Sequence, residues 1–149
     1  MDIQSLSKAG KISNAITPTA GAAGTTDIEG AALDMSGFEG VLMLVTFGEI
    51  TAGAVTKIKA QQGAASNLSD AADLEGTLQA IADTDDDKTV YIDLKNPQKR
   101  YVRLYVDRAT QNAVVASASY IQYGAREQPV THGTNVAGEF HVAPAEGTA

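Results

Sequence analysis

Residues 99–123 read KRYVRLYVDRATQNAVVASASYIQY, and the alternation in this stretch decides the fold class. Successive side chains of an extended strand point to opposite faces. In residues 99–107 that rule puts Val102, Leu104 and Val106 on one apolar face and Tyr101, Arg103 and Tyr105 on an amphipathic one. Residues 113–123 form a second long strand, in which small residues alternate before Tyr120 and Tyr123. Thr110-Gln111-Asn112 between them has turn chemistry, so the pair predicts an antiparallel hairpin.

Upstream, residues 88–94 (KTVYIDL) alternate in the same way, with Val90, Ile92 and Leu94 opposed to Thr89, Tyr91 and Asp93. Asn96-Pro97 closes that strand with a turn signal. Residues 41–47 (VLMLVTF) are apolar on both faces, which predicts a central, well-covered strand ended by Gly48. Residues 54–62 (AVTKIKAQQ) read as a half-exposed strand, with Thr56, Ile58 and Ala60 on one face and Val55, Lys57 and Lys59 on the other. Residues 77–82 add a further short strand. Residues 67–74 (NLSDAADL) are the single helix-compatible piece, and at about two turns they suit a surface turn better.

Strands therefore recur about every ten residues with turn signals between them. The expectation is an all-β fold, an antiparallel β-sandwich of jelly-roll-like or related Greek-key type, with extended N- and C-terminal arms. Residues 1–24 read as an N-terminal arm with a short strand near 11–16, because the AGAAG run at 20–24 offers little to bury. Residues 25–126 form the sandwich core, and 127–149 form a C-terminal tail in which residues 136–142 could pair as an edge strand.

The composition narrows function by what it lacks. Of 149 residues none is cysteine, so no disulfide, thiolate metal site or cysteine nucleophile is possible. The net charge of −7 opposes binding to phosphate backbones and anionic membranes. No apolar run reaches membrane-spanning length, and the N-terminus lacks a signal-peptide pattern. The two histidines, His132 and His141, lie nine apart in the tail and suit solvated or interface positions better than a metal centre. Asp83, Asp85, Asp86 and Asp87 lack the glycine and distal glutamate of a calcium loop and read as a solvated turn, as do Asp70 and Asp73. No glycine run forms a phosphate cradle, and no serine sits beside an activating base. The expectation is therefore a non-enzymatic binding module without catalytic residues, cofactor or metal.

Tyrosine and arginine concentrate at protein–protein contacts, so Tyr101, Arg103 and Tyr105 are candidate interface residues. This reading leans toward buried tyrosines and an exposed or paired Arg103. The arms supply the other candidates: Ile12, Ile16 and Pro18, then Arg126, Pro129, Val130 and Phe140.

Residues 32–63 (ALDMSGFEGVLMLVTFGEITAGAVTKIKAQQG), 69–77 (SDAADLEGT) and 85–132 resemble small structural proteins of tailed bacteriophages. The most telling part is KRYVRLYVDRATQNAVV at 99–115, then Ile121-Gln122-Tyr123 and an exit through residues 126–130. The resemblance implies a capsid decoration (cement) protein on the virion exterior, made in the host cytoplasm. It implies the major capsid protein and self, as a homotrimer, for partners, with no nucleic acid, membrane or small-molecule substrate. Two alternatives remain open: a head–tail connector or tail-associated protein, and a carbohydrate-binding sandwich on the virion surface. The latter is disfavoured by the absence of Trp. On this reading, removing residues 1–24 should weaken capsid binding or trimer formation.

Overall fold

Alternation at period two, where every second side chain can reach a common core, dictates most of the observed elements. The computed structural model describes residues 5–149. After a single turn of helix, α1 (Leu6–Ala9), come β1 (Lys11–Ile16), β2 (Ile28–Glu29), β3 (Leu33–Asp34), β4 (Gly40–Ile50) and β5 (Val55–Gly63). They are followed by β6 (Ala72–Asp73), β7 (Gln79–Ile81), β8 (Thr89–Lys95), β9 (Tyr101–Ala109) and β10 (Ala113–Tyr123). The first sheet has the order β1-β10-β4-β8, and the second has β2-β9-β5-β6, with β3 also on β9 and β7 also on β5. Every pairing is antiparallel.

The two sheets pack through one core. Val41, Met43, Val45 and Phe47 of β4 meet Ile58 and Ala60 of β5, Val102, Leu104 and Val106 of β9, and Val115 and Tyr120 of β10. Burying such side chains contributes about 1.5–3 kcal/mol each, which makes this core the main stabilising term. Tyr120 ties the layers together. Its hydroxyl accepts from the Leu104 amide at 2.9 Å and donates to the Ala31 carbonyl at 2.8 Å.

The faces read from the sequence are those observed on β5, β8 and β9. β4 is central, but it is sealed on its inner face alone; Leu42 and Leu44 on the outer face are half-buried.

The expected β9–β10 hairpin is not formed. β9 lies in the second sheet and β10 in the first. The chain arches across at residues 110–112, where Thr110 takes a left-handed φ of 73°. A hairpin would leave the apolar faces of both strands side by side on one sheet. Arching over instead presses Val102, Leu104 and Val106 against Val115, Ala118 and Tyr120 from opposite sides of the core.

Arg108 secures the arch. This buried guanidinium donates at 2.7 Å to each of the carbonyls of Thr26, Ala22 and Ala113. Burial lowers its pKa, since no solvent shares its charge.

The terminal segments differ from free arms. β1 is a full strand of the first sheet, with Ala15 and Ile16 in the core. Residues 20–24 dock on the next strand, with Val115 N–H donating to Gly21 O at 2.8 Å and Ala113 N–H to Gly24 O at 3.1 Å. The sandwich therefore begins well before residue 25. Residues 67–74 contain no helix. Asp70 accepts from the amides of Ala64 and Ala65, and Asn67 accepts from Ser69, so short polar side chains outbid helical pairing. Beyond β10 there is no strand, including at residues 136–142.

Candidate functional site

Tyr101, Arg103 and Tyr105 project from the outer face of the second sheet, not into its core. The register sets Tyr105 between Glu29 and Lys59, and Arg103 beside Gln61. Arg103 Nε donates to Gln61 Oε1 at 2.7 Å, and Arg103 Nη1 pairs with Glu29 at 3.2 Å. Gln61 Nε2 in turn donates to Asp73 Oδ1 at 2.7 Å, and Asp73 pairs with Lys59 at 3.0 Å. The chain of contacts Glu29–Arg103–Gln61–Asp73–Lys59 balances two acids against two bases.

The tyrosine ring is occupied as well. Lys59 Nζ stands 4.7 Å and Arg103 Cζ 5.8 Å from the Tyr105 ring centre. Its hydroxyl donates to Asp27 Oδ2 at 3.0 Å, and burial with that carboxylate pushes the phenol's pKa upward. Arg103, with 12% of its side chain exposed, is committed to internal partners. The polar groups of this face are thus satisfied largely by one another.

The terminal candidates separate into three groups. Ile16 is core and unavailable to a partner, while Pro18 is exposed in a turn. Ile12 lies half-buried on the outer face of the first sheet, in register with Ile121, which is in turn opposite Leu42. Arg126, Pro129 and Val130 are brought together. With Lys11, Phe38 and Glu127 they line a recess of about 410 Å³ between β1 and the C-terminal segment.

That segment is tied to α1 and β1. Val130 N–H donates to Lys8 O at 2.9 Å, Ile12 N–H to His132 Nδ1 at 3.0 Å, and Gly133 N–H to Ile12 O at 2.9 Å. Phe140 carries Lys8 Nζ 4.2 Å from its ring centre and stays 48% exposed. His141 meets Glu139 at 2.8 Å.

The acidic turn is engaged with backbone amides. Asp83 accepts from Gly53, Asp85 from Ala82 and Asp86 from Ile50, and Asp85 also pairs with Lys88. Among the described residues, no three histidine or carboxylate side chains converge as a metal site would require.

Sequence reading missed Asp27, which serves both Tyr105 and the Arg108 amide, and it missed the clamp made by Arg108 itself. The available signal was an arginine at an inward position of β9. It also missed the strut formed by Tyr123, whose hydroxyl reaches Asp93 at 2.6 Å across β4. The crossing is possible because β4 carries Gly40 at that point; a Cβ there would lie 2.4 Å from the Tyr123 ring.

Burial and the Asp93 carboxylate push the Tyr123 phenol up to about 12, and burial raises the Tyr120 phenol too. A raised acid favours the folded state below its unfolded value, and that contribution is lost as pH climbs through the folded value. The denaturation midpoint is therefore expected to fall as pH rises from the ordinary tyrosine range toward 12. Tyr123→Phe should flatten that fall. Urea titrations at stepped pH, read beside tyrosinate absorbance, check this, and an unchanged pH slope in Tyr123→Phe would refute the assignment.

No family model, curated protein or solved structure matches this chain.

Proposed function

We propose that this chain is a non-enzymatic structural protein of a tailed-phage virion, a jelly-roll decoration protein that binds the outer surface of the capsid. The observation that carries the reading is the nesting of its strand pairs. If β2 with β3 and β6 with β7 are each taken as one interrupted strand, the chain has eight successive strands. The fourth pairs with the fifth, the third with the sixth, the second with the seventh and the first with the eighth. A long hairpin rolled over itself has this pairing, which is the jelly-roll arrangement frequent in capsid and lectin domains.

Surface chemistry supports a protein partner over a sugar. Of the β9 tyrosines, Tyr105 already holds Lys59 and Arg103 over its ring and Tyr101 holds Arg100. The cationic recess with Lys11 and Arg126, the exposed Phe140 and the half-buried Ile12 give the first sheet a mixed apolar and charged rim suited to a protein surface. Many such contacts on one shell would combine by avidity.

The test is binding to purified shells that lack the protein, read by co-sedimentation and cryo-electron microscopy. Copies spread over the whole shell are expected. Copies confined to one vertex would instead identify a connector or tail component. Truncation of residues 1–24 is the wrong arm variant, because it removes β1. Removing residues 134–149, which contribute no strand, should leave the unfolding midpoint unchanged and weaken shell binding about tenfold or more. Undiminished occupancy would exclude the C-terminal segment from the contact.

A further inference from the structure

A sheet edge exposes unpaired amides and carbonyls, and proteins normally cover or interrupt such edges. The second sheet ends in short pieces: β2, β3 and β6 of two residues each and β7 of three. The first sheet's β1 edge is covered at Ile12 by His132 and Gly133. Its other edge, β8, is a regular seven-residue strand with no bulge against β4 and no proline.

The ladder shows which groups β8 leaves free. Phe47 N–H donates to Lys88 O, and Asn96 N–H donates to Glu39 O. In an antiparallel pair hydrogen-bonded residues alternate, so Val90, Ile92 and Leu94 also turn their backbone toward β4. Thr89, Tyr91, Asp93 and Lys95 turn theirs outward. Of the outward carbonyls, that of Tyr91 receives the Gln79 side-chain amide at 2.9 Å. It keeps its second lone pair. The Tyr91 side chain is 61% exposed.

We propose that β8 is a homodimer edge, at which two copies pair β8 with β8 antiparallel about a two-fold axis through Ile92. This inference does not rest on the virion reading. The strand is self-complementary in that register. Ile92 meets Ile92 of the second copy, and Val90 meets Leu94, so the apolar inner row continues from one sandwich into the next. On the outer row Tyr91 faces Asp93 and Thr89 faces Lys95, with no like charges opposed. A shift one way would set Asp93 against Asp93, which repulsion disfavours, and a shift the other way would set Tyr91 against Tyr91; either leaves two residues of β8 outside the pairing, whereas this register pairs all seven. The result is a continuous eight-stranded sheet that adds two copies of the half-buried outer Leu42 and Leu44 to one face. A two-fold strand pair closes after two copies, so it forms dimers where the phage resemblance implies trimers.

The register yields a charge-swap test on the full chain, read by sedimentation equilibrium across protein concentration. Thr89 is exposed, so its substitution spares the core. Thr89→Lys opposes Lys95 twice in the dimer and should weaken it about threefold to tenfold. Thr89→Glu should tighten it by a similar factor, and Thr89→Lys with Lys95→Glu should restore parental affinity. Tyr91→Pro removes an outward amide without touching the β4 ladder and should abolish dimerisation. A chain monomeric at every concentration overturns the proposal. So does a dimer indifferent to all four variants, or one lost on removing residues 134–149, which would point to exchange of the C-terminal segment.

Discussion

Arg108→Met is expected to lower the unfolding free energy by about 2–3 kcal/mol, although methionine keeps most of the buried volume. The loss would come from the carbonyls. Thr26, Ala22 and Ala113 each direct an oxygen at the guanidinium from 2.7 Å; the Ala113 bond is buried, with no water to replace the donor, and the other two are part-buried. Each orphaned buried acceptor costs about 1–3 kcal/mol. Against this stands the desolvation of a cation, which the substitution relieves and which in buried ion pairs can cancel the whole gain. Here the donors outweigh it, because one side chain satisfies three backbone groups from two separate segments, residues 22–26 and the start of β10. Arg108→Lys, with a single ammonium in place of the planar fork, should recover only part of the loss. Urea denaturation of the three proteins checks the ranking. An Arg108→Met protein within about 1 kcal/mol of the parent would mean that the carbonyls find other partners and that the arch does not depend on the clamp.

Arg108 also marks where reading the sequence stopped. Period-two alternation made the faces of β5, β8 and β9 legible, because it depends on neighbours along the chain. It said nothing of which strand lies beside which. Thr110-Gln111-Asn112 has the chemistry of a hairpin turn, yet the chain arches between sheets. That choice is set by a guanidinium that draws residues 22, 26 and 113 together, a contact spanning 86 positions at its longest. The Tyr101, Arg103 and Tyr105 surface was legible as a face, but its internal wiring was not, for the same reason. Its partners, Asp27, Glu29, Gln61 and Asp73, arrive from other strands and turns. The β8 edge was invisible in sequence, since an edge is defined by the neighbour a strand lacks.

Gly21→Ala is expected to cost about 2–3 kcal/mol, although it lies in an AGAAG run that composition marks as flexible. A Cβ at Gly21 would stand 2.0 Å from the Val115 carbonyl oxygen. That oxygen belongs to the backbone of β10, in the stretch where its register with β4 shifts on either side of Val115. It cannot yield as a flexible side-chain tip would. Either residues 20–24 lift off, losing the Val115-to-Gly21 and Ala113-to-Gly24 hydrogen bonds and loosening Ala22 from Arg108, or β10 moves and disturbs the core at Phe47. Both routes run through the same clamp, so Gly21→Ala and Arg108→Met should combine less than additively. The control is Gly138→Ala, where a Cβ meets nothing within 4 Å, and its unfolding midpoint should match the parent. If Gly21→Ala matches the parent as well, residues 20–24 do not bear on the sandwich, and the N-terminal boundary of the fold returns to the position that composition suggested.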